Sequence, residues 1–223
     1  MKKISITNRI KEASHKICLG VISANVIYEK NNYSLWQEIE LEENRISKLQ
    51  IEIIKDIPQI KSSREAYKAM GKEPARYRLS AEALHRRIIK GKSLYKICNI
   101  VDVINLASIK TGYSIGGYDV SNIQGDIEFG IGEKDEDYEA IGRGKMNIES
   151  LPVFRDILGA FGSPTSDSVR TMITEKTSQI LLLVINFGGH DNFENDLQVI
   201  CDLVINYCAG KDVRFEIVGG GEL

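Results

Sequence analysis

The chain has 223 residues, 43% of them hydrophobic and 27% charged, with a net charge of −2. That length suits one large domain or two small ones, and that balance is ordinary for a soluble globular protein. It excludes a globally basic nucleic-acid binder but not a basic face. Residues 61–96 hold 11 Lys and Arg against 3 Asp and Glu, whereas residues 126–149 hold 8 Asp and Glu against 3 Lys and Arg.

In chain order, the N-terminal MKKISITNRI has no long apolar segment, so no signal peptide is expected. Residues 17–28, ICLGVISANVIY, are rich in Ile and Val and predict the first strand. Residues 33–50 predict an acidic surface helix with Leu35, Ile39, Ile46 and Leu49 as apolar contacts and Trp36 as a packing anchor. Residues 51–57 fit a short strand or a continuation of that helix. The basic segment follows. A short helix opens at Ser63 to Ala66 and ends near Gly71, Pro74 breaks the chain, and Ser80 is expected to cap a second helix that ends at Gly91. Ala81, Leu84 and Ile88 face inward on it. Arg76, Arg78, Arg86, Arg87 and Lys90 either form a solvated face or meet phosphates, since clustered Lys and Arg supply the sequence-independent part of nucleic-acid affinity. His85, beside them, reads as a structural hydrogen-bonder.

Asn99 is expected to cap the next helix, and Asp102 favours its positive end. Apolar residues almost all round predict burial. Asn99, Asp102 and Asn105 form its polar stripe, and buried polar groups need partners. Asp102 and Asn105 are therefore expected to fasten a glycine turn at Gly116-Gly117, which Tyr118-Asp119 follows. Residues 126–132 and 138–148 predict two strands of a hairpin joined by an acidic turn. Residues 162–171, GSPTSDSVRT, predict a hydroxyl-rich loop. Its backbone N–H groups, hydroxyls and Arg170 can hold an anion or a carboxylate, or else it is a plain turn with local capping. The unbroken apolar run 178–187 predicts a central strand. Gly188-Gly189-His190 turns, and Asp191 with Glu194 resembles a capping box. The helix beyond carries Phe193, Leu197, Ile200, Val204 and Tyr207 at helical spacing and ends at Gly210, before a last strand at 213–218. Cys18, Cys98, Cys201 and Cys208 lie in apolar runs without CxxC spacing and read as buried thiols. No stretch approaches the ~20 apolar residues of a membrane span. A cytoplasmic location without membrane contact is expected, as is one domain: an N-terminal part, residues 1–60, packed on residues 61–223.

The ordered series Asn99-x-x-Asp102-x-x-Asn105, an apolar helix, Gly112-x-x-Ile115-x-x-Tyr118-Asp119 and a closing Gly125 resembles the B3/B4 domain of the bacterial phenylalanyl-tRNA synthetase beta subunit. It resembles still more the freestanding B3/B4-domain proteins, over about residues 61–187. The freestanding relatives share patterns like Gly116 to Asp119 and Arg170 to Thr174. The resemblance implies a single α+β domain, a β-sandwich of mixed sheets flanked by helices. It also implies a pocket between residues 113–119 and 161–183. In the synthetase that pocket hydrolyses tyrosine wrongly attached to the phenylalanine tRNA. Two positions depart from the pattern: Gly116 stands where the synthetase has a pocket His, and Leu183 where it has a Glu that takes part in recognising tyrosine.

Nothing resembles an ATP site, so the chain is not expected to charge tRNA. Two functions follow from the resemblance: a trans-editing hydrolase acting on a mischarged aminoacyl-tRNA, or a non-catalytic tRNA or amino-acid binding module. Ester hydrolysis needs donors for the carbonyl oxygen and a held water. Arg170 is a candidate to hold developing charge. Ser166, Ser168 and Thr171 are candidates to orient the water, and Asp119 and Asp167 are the available carboxylates. Gly116, Gly117, Tyr118, Ser163, Thr165 and Thr174 complete the candidate substrate contacts. The expected partners are tRNA and an aminoacyl group, with no metal or cofactor.

Overall fold

In the computed structural model, which describes residues 2–220, the chain begins β1 (Ile4–Ile6), α1 (Asn8–Ala13), β2 (Cys18–Asn25), α2 (Tyr33–Ile46), α3 (Pro58–Ala69), α4 (Ser80–Ile89) and α5 (Asn99–Thr111). It continues β3 (Ser114–Asp119), β4 (Ile127–Ile131), β5 (Glu139–Ala140), β6 (Gly144–Lys145), β7 (Pro152–Asp156) and β8 (Gly159–Gly162). It closes with β9 (Gln179–Asn186), α6 (Phe193–Cys208) and β10 (Lys211–Gly219). Two four-stranded sheets form, in the orders β1-β4-β7-β8 and β10-β2-β9-β3. The fold is α+β and a single unit, as expected. β1 runs parallel to β4, and β2 lies between β10 and β9, so the first sixty residues contribute to both sheets.

The period-two alternation of strand side chains sorts the core into layers. Leu19, Val21, Leu181, Leu183 and Ile185 join Phe129, Phe154 and Phe161 in one cluster shared by the two sheets. Ile22, Ala24, Ile180, Leu182 and Val184 project the other way, into a cluster with residues of α2, α5 and α6. β9 is thus apolar on both faces, which is why its sequence reads as an unbroken hydrophobic run. A third cluster combines Tyr67 of α3 and Ala81 of α4 with Val153 of β7 and Ala160 of β8. Each Leu or Phe fully enclosed in these layers contributes roughly 1.5–3 kcal/mol relative to exposure.

Several local expectations give way to tertiary contacts. Asn99 does not cap α5. Its Oδ1 accepts from the Glu29 N–H at 2.8 Å, and its Nδ2 donates to the carbonyls of Ile27 (2.9 Å) and Tyr207 (3.0 Å). Asp102 does not reach Gly116-Gly117 either. It accepts from the Trp36 indole at 2.8 Å and from the Ile97 N–H at 3.0 Å, tying α5 to α2 and to its own N-terminal approach. Asn105 makes no side-chain hydrogen bond among the described residues. Gly116-Gly117 is not a turn: both lie within β3, paired with Leu183 and Leu182 of β9. The 126–132 and 138–148 hairpin is absent, because β4 pairs with β1 and β7 while β5 pairs with β6 and, at Ala140, bridges Ser168. Ser80 is the first residue of α4 rather than its cap. Asp191 and Glu194 form no capping box, since Asn192 precedes α6 without a side-chain bond, and Ala209 rather than Gly210 takes the left-handed conformation at its end. Residues 51–56 form a 3₁₀ turn. β1 and α1 carried no sequence signal: three residues of strand and six of helix are too short for a periodicity. The four cysteines are buried and unpaired. Among the described residues no helix is long and apolar enough to cross a membrane.

Candidate functional site

β3 and the loop after β8 meet, as the resemblance implies, and the contact between them is made by Tyr118. This side chain is completely buried. Its ring packs edge-on to Phe161 at 4.9 Å between centroids, and its hydroxyl donates to Asp167 Oδ1 at 2.8 Å. Gly116 pairs with Leu183 across β3 and β9, so the two positions that depart from the synthetase pattern are direct cross-strand neighbours. A Cβ at Gly116 would fall 1.9 Å from the Tyr118 hydroxyl oxygen, and one at Gly162 would fall 2.0 Å from it. Only glycine fits at either place. The space that strand and loop enclose is occupied by the chain's own tyrosine.

The Asp167 residue is only half-buried as a whole, but burial of its carboxyl pushes it up to about 7, against the lowering effect of the Tyr118 hydroxyl and the backbone of Gly117 and Ser163. Burial, with Asp167 alongside, also pushes the Tyr118 phenol upward, so it stays a neutral donor. A carboxyl whose folded pKa lies above its unfolded one stabilises the fold below the unfolded value and loses that contribution as pH rises through the folded one. The window here runs from about 4 to about 7. Asp167→Asn keeps the acceptor for Tyr118 and removes the titration. Relative to this variant, the natural protein should lose on the order of 1–4 kcal/mol between those limits. Parallel stability–pH curves from urea titrations of the two proteins would show that the carboxyl does not titrate in this window.

The other candidate groups are braced within the fold. Arg170 holds Asp156 with both ends of its guanidinium, at 3.0 and 2.9 Å, and donates to the carbonyls of Asn122 and Gly159 at 3.1 Å each. Asp119 accepts from Ser121 (backbone 2.9 Å, hydroxyl 2.6 Å) and from the Thr177 hydroxyl at 2.7 Å. Burial raises its pKa, but these bonds outweigh that and hold it below the usual carboxylate value. Thr171 is fully buried and its hydroxyl donates to the Phe161 carbonyl at 3.4 Å. Ser163 Oγ donates to the Ser166 carbonyl and accepts from the Thr165 and Ser166 N–H groups. Thr165 meets the Tyr67 hydroxyl at 3.0 Å, Ser168 Oγ accepts from the Arg170 N–H, and the Thr174 N–H donates to Thr177.

The basic segment is organised by a residue whose importance the sequence reading missed. Glu82 is 1% exposed. Arg64 reaches it at 2.7 Å, Arg86 at 2.8 Å and Arg78 at 3.9 Å. The available signal was its i, i+4 spacing to Arg78 and Arg86. Arg87 lies 3.7 Å above the exposed Tyr95 ring and donates to the Ser93 carbonyl at 2.6 Å. Lys72 and Arg76 flank Tyr77 at 4.3 and 5.6 Å, and Lys90 is exposed. His85 is buried with Nδ1 2.8 Å from the Ala81 carbonyl, and burial lowers its pKa, consistent with a structural role.

The profile of the B3/4 domain family matches residues 62–195. Among solved structures, the chain is similar to an N-terminal fragment of the phenylalanyl-tRNA synthetase beta-subunit from Pyrococcus horikoshii, at 14% identity and a TM-score of 0.47. The match covers 95% of this chain and 50% of that one, so the chain spans about half the length of the fragment. No curated protein matches the chain.

Proposed function

The chain belongs to the B3/4 domain family, and on that premise we propose that it is a tRNA-associated binding module whose RNA contact is the face of α3, α4 and their flanking loops. The observation that carries this reading is the ordered set of cations there. Three arginines share the single carboxylate of Glu82, and Arg87, Lys72 and Arg76 lie on tyrosine rings. The face therefore keeps an excess of positive charge. Side chains already held in place lose less freedom on binding. Exposed aromatic and guanidinium planes suit the unstacked bases and phosphates of a folded RNA.

A second reading, a trans-editing hydrolase, rests on Asp167. A carboxyl near 7 is suited to general-base work at neutral pH. In that reading Tyr118 must leave its place between Gly116 and Gly162 to admit an acyl group, and Arg170 serves as a brace rather than as an oxyanion donor.

The test is tRNA affinity measured across a salt series. Affinity should fall with a log–log slope of about −0.7 to −0.9 per phosphate neutralised. Arg76→Glu with Arg87→Glu, neither of which touches Glu82, should weaken binding and flatten the slope. tRNA binding that ignores salt and these charges would remove the basic face from the argument. Release of an amino acid from a panel of mischarged tRNAs would favour the hydrolase.

A further inference from the structure

A separate cleft of about 540 Å³ opens where the α1–β2 connection, the first turns of α3 and the β9–α6 connection converge. His15, Lys16, Lys61, Ser62 and His190 line it, with Glu65 as the one carboxylate. None of these side chains takes part in the Tyr118 contacts or in the Glu82 cluster.

The arrangement is built rather than incidental. His190 Nε2 lies 3.4 Å from Ser62 Oγ, and the His190 N–H is held by Asn186 Oδ1 at 3.4 Å. Ser14 fastens the opposite wall by donating to the Phe187 carbonyl at 2.5 Å. A Cβ at Gly188 would sit 2.5 Å from His190 Nε2 and 3.0 Å from Ser62 Oγ, so glycine is what allows the imidazole to fold back toward the serine. Gly189 has a φ of +58°, and a Cβ there would approach the Lys16 carbonyl oxygen to 3.0 Å. The two glycines draw the β9–α6 turn against both Lys16 and Ser62.

Two lysines and two histidines around one cleft, against a single lining carboxylate, make a set suited to a multiply charged oxyanion. The cleft is larger than a phosphate ion needs and falls within the roughly 300–1,000 Å³ of small-molecule sites. Glu65 is available to accept from a sugar hydroxyl. We propose that this cleft binds a phosphomonoester of nucleotide size, with Lys16, Lys61 and His190 on the phosphate and Ser62, whose hydroxyl donates to the Gln59 carbonyl at 3.2 Å, holding the His190 ring in position. The proposal is independent of the tRNA reading, because it uses different residues and a small ligand.

The experiment is calorimetric titration of the full chain with adenosine 5′-monophosphate, inorganic phosphate and adenosine. The nucleotide should bind, with adenosine at least about tenfold weaker, a difference of about 1.4 kcal/mol. Lys16→Glu with Lys61→Glu should weaken the nucleotide by about tenfold or more, while Arg76→Glu with Arg87→Glu should not change it. If the charge-reversed protein does not fold, His190→Gln and Ser62→Ala replace it, each expected to weaken binding several-fold. Adenosine binding as tightly as its monophosphate would overturn the assignment of the phosphate. Inorganic phosphate binding as tightly as the nucleotide would overturn the nucleotide-sized ligand. No binding, or binding indifferent to the cleft variants, would overturn the site.

Discussion

Tyr118→Ala should destabilise the protein by about 3–5 kcal/mol, the range for truncating a large buried ring. The side chain is completely enclosed, packs on Phe154 and Phe161, and fills the space beside Gly116 and Gly162. Tyr118→Phe should cost less, about 1–3 kcal/mol, because only the hydroxyl is lost and Asp167 loses its donor. Urea denaturation measures both. The Ala variant should also leave a cavity that takes up a small phenol, with a midpoint that rises as the phenol is added. A Tyr118→Ala protein as stable as the parent would mean that the ring is not core, and the space between Gly116 and Gly162 would then be open to a ligand.

Arg170→Ala should be comparably severe, at about 3 kcal/mol or more, because it strands a carboxylate. The Asp156 side chain has no exposed surface, and Arg170 is its cationic partner. Burial raises the Asp156 pKa, but the Arg170 guanidinium and the N–H groups of Gln124 and Leu158 hold it below the ordinary value. That stabilisation is present above the unfolded pKa and lost as pH falls through the folded one, opposite in sign to Asp167. Arg170→Lys should recover only part of it, since an ammonium cannot reproduce the two-pronged contact or reach Asn122 and Gly159 together. Thermal melting of the three proteins, with the Lys variant between the other two, is the expected order. An Arg170→Ala protein that melts with the parent would free this guanidinium for a role in chemistry.

Segments with strong one-dimensional patterns were legible without coordinates. The unbroken apolar run of β9, the helical spacing of α6 and the almost wholly apolar α5 each state their environment in their own periodicity. The burial of Trp36 and the four cysteines follows from the same logic. The ordered motifs around α5 and β3 also sufficed for the family and for the meeting of β3 with the 162–171 loop.

What the sequence could not determine was which partner each polar group would take, because hydrogen bonds and ion pairs form between residues far apart in the chain. Asp102 finds Trp36, Arg170 finds Asp156, and Glu82 gathers arginines from two helices. Strand pairing is equally non-local: β4 turns to β1 and β7 rather than to the strand that follows it. The Gly116-Gly117 pair looks like a turn in isolation, since glycine permits one. In the folded chain glycine is there instead because a tyrosine two residues on lies back across it, beneath a second glycine from β8. Local propensity lists what a residue can do, and only the packed neighbours decide which of those it does.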